Sequence, residues 1–125
     1  MTGRTTRVYE TIFASYAHED RIIVESCDSM LRALGVGELR WDVKVLRAGV
    51  EWAQNIFSEI NDADSFQLFW SERAKASSNV KKEWEHALAL NRTRFIKPVY
   101  WGDPMPAPPR KLQHLHFSRV IFPVC

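Results

Sequence analysis

Hydrophobic residues along the chain alternate between two spacings, which predicts strands alternating with helices. Short runs rich in β-branched and aromatic residues predict strands at residues 9–16, 38–41, 65–71, 94–101 and 119–124. Apolar residues at i, i+4, i+7 and i+8 predict helices at residues 19–34, 52–60 and 80–88. The third strand (SFQLFWS) is apolar on both faces, as in a sheet that is covered on both sides.

The helix ends carry recognisable signals. The predicted buried stripe of the first helix consists of Ile23, Cys27, Met30, Leu31 and Leu34. Gly35 is expected to end this helix, because glycine readily adopts the left-handed conformation that follows a helix. The polar run Ser77-Ser78-Asn79 provides an N-cap for the last predicted helix.

The alternating order predicts an α/β fold with a parallel sheet and helices on both faces. Ligands of such sheets bind beyond the carboxyl ends of the strands, where the strand order reverses. In the flavodoxin-like order this point lies between the first and third strands. Those strands end here at Ser15-Tyr16 and at Trp70-Ser71, so the fold indicates a site before any chemistry is considered.

Composition narrows the classes of function. The length of 125 residues predicts a single domain spanning 1–125. A net charge of +2, from 17 basic and 15 acidic residues, argues against a nucleic-acid partner. No apolar run reaches the roughly 20 residues of a membrane span, so no membrane partner is expected. The two cysteines exclude a disulfide framework and favour a reducing compartment, which predicts a cytoplasmic location.

A search for familiar catalytic motifs provides little evidence for a function. The chain has no phosphate-binding G-x-x-x-x-G-K-S/T loop and no H-E-x-x-H or paired C-x-x-C, so neither a metal nor a bound cofactor is expected. Lys97-Pro98 is similar to a late-strand pair of two-component receiver domains, but the third strand ends without their phosphate-accepting aspartate. Cys27 is interpreted as a core residue, and His18 as a capping or solvated residue.

One acid, Glu83, stands out near the predicted site. It follows one turn after the start of the last predicted helix and lies beside the buried stripe of Val80 and Trp84. It is therefore expected to border a cleft without belonging to the core. From the residues alone, an ordinary solvated glutamate paired with Lys82 or Arg73 is the favoured interpretation.

Several segments together resemble the TIR (Toll/interleukin-1 receptor) domain, of the bacterial type. Residues 12–20 (IFASYAHED) resemble the opening F-x-S-Y-x-x-x-D, and residues 42–52 (DVKVLRAGVEW) resemble the BB loop and the following helix. The other matches are residues 63–71 (ADSFQLFWS), 78–83 (SNVKKE) and 95–99 (FIKPV). The order and spacing of these segments, which cover nearly the whole chain, carry the resemblance.

The resemblance implies a flavodoxin-like, doubly wound sheet of about five strands and one of two functions. Catalytic members of the family cleave nicotinamide from NAD+, giving ADP-ribose or a cyclic ADP-ribose, and a glutamate at the position of Glu83 carries this reaction. An NAD+ glycohydrolase that is activated by assembly, in bacterial immune, antiviral or cell-death signalling, is the leading expectation. The alternative is a non-catalytic scaffold that pairs with other TIR domains.

The resemblance also assigns substrate-binding positions, with NAD+ as substrate. They are Ser15, Tyr16 and Ala17 after the first strand, Asp42, Arg47 and Gly49 in the BB loop, Ser71 after the third strand, and Asn79. Arg47 or Lys44 is expected to meet the pyrophosphate, the alternative being a solvated loop charge. At position 79, several catalytic members carry an aromatic residue that packs against the ligand.

Two expectations concern partners. The BB loop is expected to contact the next subunit, so that self-association completes the site. Family members usually have a final helix after the last strand, whereas the sequence stops at Val124-Cys125. A domain taken from a longer protein with a sensor or oligomerisation module is therefore expected.

Overall fold

The computed structural model describes residues 9–41 and 49–121 of the chain. Within these two ranges, five strands form in chain order: β1 (Glu10–Ser15), β2 (Gly37–Arg40), β3 (Ser65–Trp70), β4 (Ile96–Tyr100) and β5 (Ser118–Arg119). The described residues also form four helices, α1 (Arg21–Ala33), α2 (Gly49–Asp62), α3 (Glu72–Ala76) and α4 (Ser78–Ala89), of which α3 and α4 both follow β3. Short 3₁₀ turns occupy His18–Asp20 and Arg110–Leu112.

All five strands are parallel, in the order β2-β1-β3-β4-β5. The chain proceeds from β1 to one side of the sheet and then returns past it, so the order reverses between β1 and β3. This is the predicted α/β, flavodoxin-like arrangement, and the prediction of about five strands is confirmed. In a parallel sheet, the reversal opens a crevice at the carboxyl ends of the two central strands.

The alternation of side chains along β1 separates two cores. Ile12, Ala14 and Tyr16 belong to the core beneath α1, together with Val24. Phe13 belongs to the core on the opposite face, which α2 and α4 cover. Successive side chains of a strand point to opposite faces, so Ser15 shares the face of Phe13 and looks toward α4.

Helix α1 differs from the prediction in which of its residues are buried. Met30 and Leu34, assigned to the buried stripe, are 50% and 62% exposed, whereas Val24 and Asp28 are buried. The carboxylate of Asp28 accepts hydrogen bonds from the Leu39 backbone N–H at 2.8 Å and from the Trp41 indole at 3.1 Å. These donors from β2 and its end compensate the burial of a charge, so a polar residue takes a core position.

The predicted end of α1 is confirmed. Gly35 has φ +69°, its N–H donates to the Arg32 carbonyl, and the Val36 N–H donates to the Leu31 carbonyl. This pair of bonds is a Schellman motif, which requires the left-handed conformation that glycine adopts without strain.

Cys27 behaves as the core residue that the sequence predicts. Its side chain is partly buried on α1, and burial raises the pKa of the thiol from 9.0 to about 11. A thiol needs its thiolate form to act as a nucleophile, so this cysteine is a poor candidate for chemistry.

The connection from β4 to β5 is the proline-rich segment, and it contains no α-helix. Its Leu112 is fully buried in the core beneath α4. The Trp70 indole N–H donates to the Pro106 carbonyl at 2.8 Å, which fastens the segment to the end of β3. In the part of the chain that the structure describes, no helix has the length and apolar character required to cross a bilayer.

Candidate functional site

A cleft of about 560 Å³ lies at the carboxyl ends of β1 and β3, where the strand order reverses. Its lining comes from the segment after β1 and from the helices that follow β3. The lining side chains include Tyr16, Ala17, Arg73, Ser77, Asn79 and Glu83. The cleft lies at the place that the alternating sequence pattern predicts.

Glu83 lies at the inner end of this cleft. It is 1% exposed, and its Oε1 accepts a hydrogen bond of 2.7 Å from the Ser15 hydroxyl. The bond forms because Ser15 points toward α4, where Glu83 lies between the buried Val80 and Trp84. The expectation that position 83 lies outside the core, as a solvated glutamate, is wrong. Glu83 is a core residue that also borders open volume.

The Asp20 carboxylate forms the centre of a second polar group, in the wall of the cleft. Asp20 is 2% exposed and accepts 2.6 Å from the Ser71 hydroxyl and 2.8 Å from Arg73 Nε. A further contact of 2.6 Å joins Arg73 Nη2 to the same carboxylate. Arg73 therefore pairs with Asp20, not with Glu83 as the solvated interpretation suggested.

Ser71 has a local role in addition. It is the N-cap of α3, and its Oγ accepts a hydrogen bond of 3.0 Å from the Ala74 N–H. The same hydroxyl donates its proton to Asp20. Of the predicted substrate-binding residues, Ser71 is thus buried, and its hydroxyl both donates and accepts a hydrogen bond within the fold.

Three further predicted residues, Tyr16, Ala17 and Asn79, line the cleft. Tyr16 is buried, and its hydroxyl donates to the Trp41 carbonyl at 2.9 Å, which ties the cleft to the end of β2. Ala17 is buried beside it. Asn79 is exposed in the first turn of α4, where Ser77 serves as the N-cap by accepting from the Val80 N–H at 3.2 Å.

The BB-loop positions are less informative. Asp42, Arg47 and Lys44 lie outside the described residues. Gly49 is the first residue of α2. The structure therefore brings together Ser15, Tyr16, Ala17, Asn79 and Glu83, and places Ser71 next to them.

Sequence reasoning missed the contribution of Asp20 and Arg73 to this site. The two residues are 53 positions apart, and no local spacing relates them. Asp20 is the final aspartate of the F-x-S-Y-x-x-x-D segment, so the motif contained it without indicating its partner. His18, interpreted as capping or solvated, is exposed and lines the cleft.

The arrangement has a definite chemical capacity. A buried carboxylate that borders a cleft, removed from bulk water, stabilises positive charge that develops on a bound molecule. The Ser15 hydroxyl fixes the orientation of that carboxylate through a charge-assisted hydrogen bond.

Comparisons with known proteins agree with this fold. The family model of the TIR domain matches residues 12–121. A similar solved structure is the TIR domain of the Toll-related receptor TRR-2 from Hydra magnipapillata, with a TM-score of 0.70 and 18% identity over 86% of this chain and 82% of that one. No curated protein matches the sequence. The family match covers most of the residues that build the sheet, the cleft and its polar groups, and the chain belongs to the TIR domain family.

Proposed function

We propose that this TIR domain is an NAD+ glycohydrolase, with Glu83 as its catalytic residue. The observation that supports the proposal is the position of the Glu83 carboxylate, which is buried at the inner end of the cleft between the ends of β1 and β3. The family contains members that cleave NAD+, and their glutamate matches this position in the sequence.

The reaction suits a single carboxylate. In NAD+, the nicotinamide nitrogen is already cationic, so nicotinamide leaves with the electrons of the N-glycosidic bond and needs no proton. Positive charge then develops on the ribose, as in glycoside hydrolysis. Glu83 stabilises this oxocarbenium-like state by its charge, and water or an acceptor within the same molecule attacks the ribosyl carbon. The products are nicotinamide and ADP-ribose, linear or cyclic, and the attacking group releases one proton.

Assembly is the second part of the proposal. TIR domains commonly self-associate, and we propose that contact between copies, through the segment beginning at Asp42, completes the site. Activity should then rise more steeply than protein concentration. The biological setting that we propose is bacterial immune or cell-death signalling, in the cytoplasm.

The test compares nicotinamide release by the unmodified chain and by Glu83→Gln, at high protein concentration, with chromatographic detection. We expect the substitution to lower turnover by roughly 10²–10⁴-fold, the range for a positioned catalytic side chain. Gln preserves the shape and an oxygen for the Ser15 hydroxyl, so the fold should persist, and circular dichroism checks this.

Glu85→Gln is the matched control. Glu85 lies two residues further along α4, and its carboxylate makes a solvent-exposed ion pair with Lys111 at 3.7 Å. Its substitution removes the same charge from the same helix and should leave turnover unchanged. Equal activity of Glu83→Gln and the unmodified chain would refute the catalytic role.

The alternative is a non-enzymatic interaction module. The similar Hydra domain belongs to a receptor, which favours a signalling role of this kind. Absence of nicotinamide release at all protein concentrations, combined with concentration-dependent assembly in light scattering, would support the alternative.

A further inference from the structure

Arg73 has a surface position but a fixed side chain. Its side chain is 50% exposed at the cleft, whereas that of its partner Asp20 is 1% exposed. Exposed arginines in ordinary surface pairs lose rotamer entropy for little gain, and such pairs contribute little to stability. Here one partner is removed from water, and two nitrogens of the planar guanidinium contact it, which holds the guanidinium in one orientation.

Asp20 forms this ion pair instead of the N-cap hydrogen bond that is usual at its position in the chain. It occupies the N-cap position of α1, where an aspartate typically accepts a hydrogen bond from the first turn of its helix. Its side chain makes no such bond. Instead, its Oδ1 receives Arg73 Nε and its Oδ2 receives the Ser71 hydroxyl, from the far side of the crevice. Asp20 therefore aligns a residue of α3.

One edge of the guanidinium is left for another anion. Both contacts with Asp20 use Nε and Nη2 of Arg73, and Nη1 lies outside them. Arginine offers five N–H donors in a planar fork that suits phosphate oxygens. The residue thus has donors to spare at a point that lines the cleft.

We infer that Arg73 binds the diphosphate of the ligand in this cleft, and that Asp20 and Ser71 are its positioning residues. The inference rests on the proposed function, because NAD+ carries a cationic ring and an anionic diphosphate. The cleft carries the complementary pair, with the Glu83 carboxylate for the developing ribosyl cation and the Arg73 guanidinium for the phosphates. The sequence led us to expect Arg47 or Lys44 to contact the pyrophosphate. Among the described residues that line the cleft, Arg73 offers donors for this contact.

Binding of ADP-ribose, measured by isothermal titration calorimetry at high protein concentration, tests the inference without requiring turnover. Arg73→Gln should weaken ADP-ribose binding by roughly 10–100-fold, the loss for a hydrogen bond between charged groups. Binding of nicotinamide riboside, which lacks the diphosphate, should not change. Lys75→Gln, which removes an exposed positive charge from the same helix, is the control and should bind both ligands normally.

Asp20→Asn separates positioning from charge. Arg73 remains cationic in this variant but loses its fixed orientation, so ADP-ribose binding should weaken by less than in Arg73→Gln, again without effect on nicotinamide riboside. A merely structural role for Asp20 would weaken both ligands equally, and that result would overturn its assignment.

A measurement on the unmodified chain covers the case in which Arg73→Gln does not fold. The Nε–H resonance of Arg73 should shift on addition of ADP-ribose and remain unchanged with nicotinamide riboside. An unchanged resonance, or ADP-ribose affinity equal to that of the unmodified chain in folded Arg73→Gln, would overturn the inference. Failure of the proposed function gives a different result, namely Arg73-dependent binding of ADP-ribose without nicotinamide release.

Discussion

Two buried carboxylates lie on opposite faces of the sheet, and their surroundings differ. Asp28, on α1, is 8% exposed and is enclosed by donors from Leu39, Trp41 and Arg32. Glu83, on α4, is 1% exposed and borders the cleft, with the Ser15 hydroxyl on its Oε1. Both acids are unusual in being buried, so burial alone does not distinguish them.

The difference separates a structural carboxylate from a candidate catalytic one. The donors around Asp28 join α1 to β2, and its hydrogen bond raises the pKa of the Arg32 guanidinium. Its charge is used within the fold. Glu83, in contrast, adjoins volume that a ligand can occupy. Position relative to open space, more than burial, therefore distinguishes the acid that we propose as catalytic.

Asp28→Asn is the sharpest test of this contrast on the structural side. The amide replaces one acceptor oxygen by a donor that faces the Trp41 indole or Arg32, so a charged hydrogen bond is lost. We expect the free energy of unfolding to fall by about 2–3 kcal/mol. Urea denaturation measures it, and nicotinamide release by the folded fraction should be unchanged.

Glu83→Gln should show the opposite profile, with turnover strongly reduced and stability lowered less than in Asp28→Asn. The comparison fails if both variants lose stability and activity in the same proportion, since the two acids would then have one kind of role.

Ser15→Ala tests a smaller effect on the catalytic side. The substitution removes the hydroxyl that donates to Glu83 Oε1 in a fully buried position. We expect kcat to fall by about 10-fold with KM for NAD+ nearly unchanged, because the bond orients the carboxylate and its loss costs about 1.5 kcal/mol. Steady-state kinetics measures both parameters, and a rise in KM alone would instead indicate that Ser15 binds substrate directly.

The smallest effect concerns the other end of α4. His86 stacks on Phe57 with ring centroids 4.4 Å apart, and its Nε2 lies 2.8 Å from Asn61 Oδ1. Burial lowers the pKa of His86 below 6.5, because the charged imidazolium loses hydration there. Between the folded-state pKa of His86 and the unfolded-state pKa of about 6.5, the unfolded chain binds more protons than the folded chain. The stability that comes from burying the neutral imidazole is therefore complete above about pH 6.5, and it is lost as the pH falls through the folded-state pKa.

His86→Gln should therefore show a weaker loss of stability between pH 7 and pH 5 than the unmodified chain. Thermal unfolding at a series of pH values measures the difference. Parallel curves for the two proteins would contradict the prediction. Because the contribution of His86 varies with pH below about 6.5, the stabilities of the Glu83 and Asp28 variants are best compared above pH 7.

The sequence predicted the parts of the site that depend on repeating patterns. Alternation in β1 and β3 located the crevice, and the spacing of Val80, Trp84 and Ala87 placed α4 beside it. The Ser77 cap and the Gly35 terminus follow from local conformational preferences and are confirmed. These features are encoded within one turn or one strand.

The rest depends on contacts between distant segments. The hydrophobic periodicity of a helix is read with acidic residues on the solvent side. The predicted buried stripe of α1 was therefore shifted toward Met30 and Leu34, and the burial of Asp28 was not predicted. It likewise left Glu83 outside the core. Helix α3 has five residues, which is too short for a helical period to appear. The Asp20–Arg73 pair exists only once β1 and β3 are adjacent.

The proline-rich crossover has an entropic consequence for the whole sheet. Residues 104–109 include Pro104, Pro106, Pro108 and Pro109. Each proline ring restricts its backbone in the denatured ensemble as it does in the native one. Ordering this segment over the sheet therefore costs less conformational entropy than ordering an equally long irregular segment without prolines. Leu112 and the Trp70–Pro106 bond thus help to hold a crossover that most parallel sheets secure with a helix.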